Sequence, residues 1–179
     1  MKISPKHLQL IKEYVPEAKQ QAFLDAALNQ ALVPYLRALK APSDKGISGE
    51  IFVDGGSRGN PGPAGGGFVI FNDGIKAAEG SIYFGVQTNN QAEYLALREA
   101  LRKAYEVLGN ASIQVYMDSQ LVVEQLCGNY KVKSENVRPL YEEVSRIISQ
   151  FQHFKIIHVS REQNSEADRL ANLAMDRKR

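Results

Sequence analysis

Ile51-Phe52-Val53-Asp54-Gly55-Gly56-Ser57-Arg58-Gly59-Asn60-Pro61-Gly62-Pro63-Ala64-Gly65-Gly66-Gly67 runs directly into Phe68-Val69-Ile70-Phe71. Two short β-branched and aromatic runs flank a stretch that holds seven of the chain's 14 glycines. The flanks read as strands, and the stretch between them as a tight, backbone-exposing loop. An acid, Asp54, ends the first strand beside that loop. Glycine-rich loops can cradle phosphates, but this one lacks Gly-Lys-Ser/Thr and leads into a strand, not a helix. Neither the P-loop nor the dinucleotide fingerprint fits.

Downstream, Asn72-Asp73-Gly74 supplies the positive-φ residues of a tight hairpin and sends the chain into a third strand, Ile75 to Phe84. Thr88 with Gln91 three residues later is a capping box, and it opens a helix that Gly109-Asn110 stops after Leu108. A fourth strand is expected over Ser112 to Met117, helices over Ser119 to Leu126 and Val137 to Phe151, a fifth strand over Phe154 to Val159, and a last helix from Ser165. The order β-β-β-α-β-α-α-β-α predicts an α/β fold, a five-stranded mixed sheet flanked by helices.

Upstream, Leu8, Ile11 and Val15 form one helical stripe, and Phe23, Ala27 and Ala31 with Leu24 and Leu28 form another, punctuated by Pro16 and Pro34. Residues 1–40 are therefore expected to be a small helical appendage, 41–49 a turn-rich linker, and 50–179 the main domain. The formal charge of +2 divides unevenly. Residues 1–48 carry seven Lys/Arg against four Asp/Glu, while the remainder is nearly balanced. So small a basic excess permits nucleic-acid binding without arguing for it. No apolar run approaches the roughly 20 residues of a membrane span, and the amino terminus lacks a secretory pattern. The chain is expected in the cytoplasm with no membrane partner; its oligomeric state is left open, with a monomer favoured over an assembly. Its single cysteine, Cys127, allows no internal disulfide, and its apolar helical setting predicts a buried small hydrophobe.

Four acids occupy unusual places. A right-handed crossover through the long helix lays the first and fourth strands side by side and parallel, so Asp54 and Asp118 emerge together at the carboxyl edge of the sheet, where ligands bind in open α/β folds. Each also has an ordinary explanation, Asp54 as a turn residue and Asp118 as a helix cap. Glu93 is harder to dismiss. The stripe Leu97, Ala100, Leu101, Ala104 and Leu108 steps back four residues onto it, so an acid continues a buried face with no Lys or Arg nearby on that face. Asp168 lies in the first turn of the last helix, where it also complements the helix dipole. Four converging acids repel one another unless a hard divalent cation intervenes, Mg²⁺ first and Mn²⁺ second.

Taken together, Asp54-Gly-Gly-Ser-Arg-Gly-Asn-Pro-Gly-Pro-Ala-Gly, Thr88-Asn-Asn-Gln-Ala-Glu-Tyr, Tyr116-Met-Asp-Ser-Gln and Asn164-Ser-Glu-Ala-Asp-Arg-Leu-Ala resemble the type 1 ribonuclease H family, in order and spacing, from Ile51 to Met175. The resemblance implies an endonuclease that hydrolyses the RNA strand of an RNA–DNA hybrid with two Mg²⁺ ions and leaves 5′-phosphate and 3′-hydroxyl ends. It implies that Asp54 bridges the metals, that Asp168 completes the one that activates water, and that Glu93 and Asp118 hold the one at the leaving oxygen. Asn60, Asn89, Asn90 and Gln120 match family positions that contact the hybrid, and amides suit ribose 2′-hydroxyls because they both donate and accept.

Three departures accompany the resemblance. The loop Ser160 to Ala167 lacks the histidine many members carry there, with Arg161 or Glu162 as partial substitutes. His158 is expected to be structural, in the fifth strand on the face of Phe154 and Ile156. Lys131 and Lys133 are all that remains of a basic protrusion, and no Trp is present. The competing reading is a catalytically silent hybrid- or DNA-binding adaptor with the same fold.

Overall fold

The computed structural model describes residues 47–177; the expected appendage 1–40 and most of the linker lie outside the described residues. Five strands, β1 (Gly49–Ser57), β2 (Gly62–Asn72), β3 (Ile75–Gln87), β4 (Ser112–Met117) and β5 (His153–His158), form one sheet in the order β3-β2-β1-β4-β5. β1, β2 and β3 meander antiparallel, while β4 lies parallel to β1 and β5 parallel to β4. The helices are α1 (Asn89–Leu108), α2 (Gln120–Leu126), α3 (Arg138–Ile148) and α4 (Ser165–Arg177), with a 3₁₀ turn, Arg161–Asn164, leading into α4. The expected order and mixed sheet are observed. Asp73 (φ 49°) and Gly74 (φ 78°) make the β2–β3 turn, and Thr88 caps α1 through the reciprocal Gln91 box.

The glycine-rich stretch departs from expectation. It is mostly strand: β1 continues three residues past Asp54, β2 begins at Gly62, and only Arg58–Pro61 remain as loop. The reason is packing on both faces. A Cβ on Gly55 would lie 2.3 Å from the Ala92 carbonyl of α1, and one on Gly66 would lie 2.6 Å from the Ala96 side chain. A Cβ on Gly67 would lie 2.3 Å from the Ala167 carbonyl of α4. Two helices thus press directly onto strand backbone, from opposite faces because successive residues alternate.

The core lies between the sheet and α1, where Ile51, Val53, Ile113 and Val115 meet Leu97, Leu101 and Ala104, all fully buried. Cys127 corrects another expectation: it is exposed. It follows the last residue of α2 at the helix C-cap, one residue before Gly128 turns the chain away at φ 81°, and so lies beyond the buried face of Val122 and Val123. No described helix is long and apolar enough to cross a membrane.

Candidate active site

Four chain segments, β1, β4 and the starts of α1 and α4, meet at one edge of the sheet. The β1–β4 register pairs Phe52 with Tyr116, and two further residues along each strand bring Asp54 beside Asp118. Asp54 is not a turn residue; it pairs with Gly67 inside the β1–β2 ladder. Nor does Asp118 cap α2, since the cap is Ser119, whose hydroxyl accepts from Val122 N–H. Glu93 reaches the edge as the fifth residue of α1, one turn in from its Thr88 cap, and Asp168 from the first turn of α4. All four carboxylates line one open cleft of ≈ 330 Å³, together with Asn89, Ser119, Arg161 and Asn172.

The acids are held in unlike ways. Burial, reinforced by the charges of Asp118, Asp168 and Glu93, raises the Asp54 carboxyl from 3.8 to about 7 against a smaller opposing pull from Arg161. Burial likewise raises Glu93 from 4.5 to about 7, although bonds from Ser119 and Asn89 favour its ionised form. The Asn89 amide donates to Glu93 Oε1 at 3.2 Å, while Oε2 is buried without a partner. Asp118 Oδ1 accepts from Asn164 Nδ2 at 2.9 Å. Asp168 is the one acid with a cation already in place: Arg161 donates to its Oδ1 from Nε at 2.9 Å and again from a terminal nitrogen. Asn172 donates to its other oxygen at 3.1 Å.

Sequence reasoning singled out all four acids, and the structure brings them to one cleft. It missed Asn164, Ser119 and Asn172 as their partners, and it gave Arg161 no part in binding Asp168. Asn164 and Asn172 flank Asp168 at four-residue spacing, which was a usable signal for their sharing its side of a helix.

Among the amides, Asn89 and Asn60 are drawn together where the Arg58–Pro61 loop meets α1. Asn89 N–H donates to Asn60 Oδ1 at 3.2 Å, and Asn89 Oδ1 accepts from Ser57 N–H at 3.2 Å. Asn90 and Gln120 are exposed, in the first turns of α1 and α2. His158 lies in β5 beside Met117 of β4, at the end of the sheet's edge strand, and it is exposed.

The donor set is all carboxylate oxygen, which suits a hard divalent ion. The unpartnered Glu93 Oε2 and the two raised acids are the residues a cation would satisfy. Among the described residues no three His, Cys, Asp or Glu side chains are closed into a metal-ligating cluster. The acids instead surround an open cleft, an arrangement compatible with Mg²⁺, which keeps several waters and binds through few carboxylates plus substrate phosphate.

The fold, a β3-β2-β1-β4-β5 sheet with α1 and α4 on opposite faces and carboxylates at its edge, is ribonuclease H-like. A family model described as reverse transcriptase-like matches residues 52–174. The bifunctional protein Rv2228c of Mycobacterium tuberculosis is 46% identical over 128 residues, which make up 70% of this chain and 35% of that one. The chain thus spans about a third of that relative's length. The solved N-terminal ribonuclease H domain of Rv2228c superposes with a TM-score of 0.70 at 45% identity, covering 73% of this chain and all of that one. Ribonuclease HI of Halobacterium salinarum is 38% identical over 161 residues, 89% of this chain and 80% of that one. A structure of LC11-RNase H1 with an RNA/DNA hybrid matches at TM-score 0.68 and 39% identity, covering 72% and 97% of the two chains. This chain belongs to the type 1 ribonuclease H family.

Proposed function

We propose that this protein is an endoribonuclease that hydrolyses the RNA strand of an RNA–DNA hybrid, leaving 5′-phosphate and 3′-hydroxyl ends. The observation that carries the reading is the meeting of four carboxylates at one sheet edge, two of them raised to about 7 and one oxygen, Glu93 Oε2, buried without a partner. Family membership, and a relative solved with RNA/DNA hybrid, support the choice of substrate.

Asp54, Glu93, Asp118 and Asp168 would hold two Mg²⁺ ions, with Mn²⁺ as a substitute. Such a pair, ~4 Å apart, supplies a nucleophile at neutral pH and neutralises charge on the reacting phosphorus. The chain's own residues prepare this. Asp54 would contribute to holding both ions, Asp168 would serve the one that supplies the nucleophile, and Glu93 with Asp118 would serve the one that neutralises the leaving oxygen. Asn89 fixes the Glu93 carboxylate by donating to its Oε1. Asn60, Asn89, Asn90 and Gln120 supply amides for the hybrid's sugar edge and backbone. Arg161 pairs with Asp168 and would have to release it for that carboxylate to hold a cation.

The test is cleavage of end-labelled hybrid, RNA duplex and DNA duplex with and without Mg²⁺. Magnesium-dependent cutting of the hybrid's RNA strand alone is expected. Hybrid binding without cutting at any Mg²⁺ or Mn²⁺ concentration would mark a silent adaptor, a reading to which the Arg161–Asp168 pair lends some support because it places a cation on one of the four acids.

A further inference from the structure

Asn164 is 1% exposed, and its side chain is neither satisfied nor apolar. Its Nδ2 donates to the Val53 carbonyl at 2.9 Å and to Asp118 Oδ1 at 2.9 Å, while its Oδ1 is buried with no partner. The orientation of the amide is dictated by its neighbours. A backbone carbonyl and a carboxylate both accept, so only the NH₂ group can face them. Turning the amide over would set three acceptors against one another, so the oxygen is left buried and unmatched as the cost of aiming two donors.

A residue kept only to fill space would not carry that cost, because an apolar side chain of similar volume avoids it. What the amide gains is connection. Val53 precedes Asp54 on β1, Asp118 follows the last residue of β4, and Asn164 closes the 3₁₀ turn four residues before Asp168. One side chain therefore ties together the segments that deliver three of the four acids. It also does so without charge. The Arg161 guanidinium pairs with Asp168 as a cation, whereas an amide orients Asp118 through Oδ1 and leaves its negative charge available.

We propose that Asn164 is a positioning residue that sets Asp118, and through the Val53 carbonyl the stretch of β1 that carries Asp54, in the arrangement that takes up divalent cations. This rests on the metal-dependent reading above. Loss of such supporting hydrogen bonds typically costs 10–100-fold in metal affinity or activity.

The test uses full-length wild type and Asn164→Ala, with Mn²⁺ affinity measured by electron paramagnetic resonance without substrate, alongside kcat and KM on hybrid. The variant is expected to bind Mn²⁺ at least about 10-fold more weakly and to lose about 10–100-fold in kcat, with KM for hybrid changed less than about 3-fold. Mn²⁺ affinity within about twofold of wild type in a folded variant overturns the proposal, whatever happens to melting temperature. If Asn164→Ala does not fold, Asn164→Ser, which keeps one donor, carries the same measurement. Failure of both to fold makes Asn164 a structural residue and also overturns it. Wild type that binds Mn²⁺ but does not cut hybrid removes the functional reading while leaving the positioning result readable. Wild type that binds no Mn²⁺ removes both.

Discussion

Asp54 and Glu93, raised by burial, and Asp168, paired with a guanidinium, are acids of one site held by opposite means. The first two are drawn into the protein, Glu93 with the Asn89 amide on one oxygen and Asp54 among the charges of the other acids, and both are raised to about 7. The third stands at the start of α4 with Arg161 and Asn172 on its oxygens. The fold thus leaves a deficit of positive charge on the buried side and fills it on the exposed side with a side chain that can swing away. Arg161 is 71% exposed while Asp168 is 24% exposed, so solvent screening keeps their pair weak and replaceable.

The sharpest attempt to break this contrast is Asp54→Asn. It should reduce hybrid cleavage at saturating Mg²⁺ by about a thousandfold or more, ~4 kcal/mol of transition-state stabilisation, with the fold retained by circular dichroism. Retention of more than about a tenth of wild-type activity would sink the assignment of this residue to both ions.

Stability should move the other way. In chelator-treated protein, the folded state keeps protons on Asp54 and Glu93 up to about pH 7 that the unfolded chain releases near pH 4. The folded state therefore binds more protons across that window, and its stability, greatest below about pH 4 as far as these groups are concerned, falls as pH rises to 7. Melting temperature should be lower at pH 8 than at pH 5 by several degrees, at about 2–4 °C per kcal/mol for a domain of this size. Glu93→Gln should flatten that slope and raise the pH 8 value. An unchanged slope in Glu93→Gln would show that the buried side carries no such deficit.

On the exposed side, Arg161→Ala should lower the half-saturating Mg²⁺ concentration about two- to fivefold by removing a competitor for Asp168, the range expected of an exposed ion pair. A fall in kcat beyond about thirtyfold would instead give the guanidinium a direct part in the reaction. The smallest effect belongs to His158→Ala, which should leave kcat within about twofold because the residue ends β5 and is not carried by the 3₁₀ turn. A collapse of kcat in a folded variant would place a proton-transfer group where none is proposed.

The strand order was legible because its punctuation is local: Asp73-Gly74, the Thr88 and Gln91 box, and Gly109-Asn110 each act within a few residues. The acids were legible too, since Glu93 interrupts an apolar stripe and Asp54 and Asp118 close apolar runs. What escaped was tertiary. Gly65, Gly66 and Gly67 announce a loop to any local reading, and only the helices lying on them explain a strand. Cys127 looked buried from the helix before it, but Gly128 ends that helix and turns the chain away. Asn164 looks like a helix-start amide, and nothing within ten residues reveals that its partners stand 46 and 111 positions away.

Gly55 follows Asp54, and the Ala92 carbonyl it meets precedes Glu93. An alanine at 55 would force α1 off the sheet and carry Glu93 away from Asp54 without touching either acid. For protein engineers, grafting the four carboxylates onto another α/β scaffold would therefore reproduce the inventory of the site but not its bite. The missing methyl group is as much a specification as the acids, and a designed copy would need a bare backbone at that one strand position before any search over ligand rotamers began.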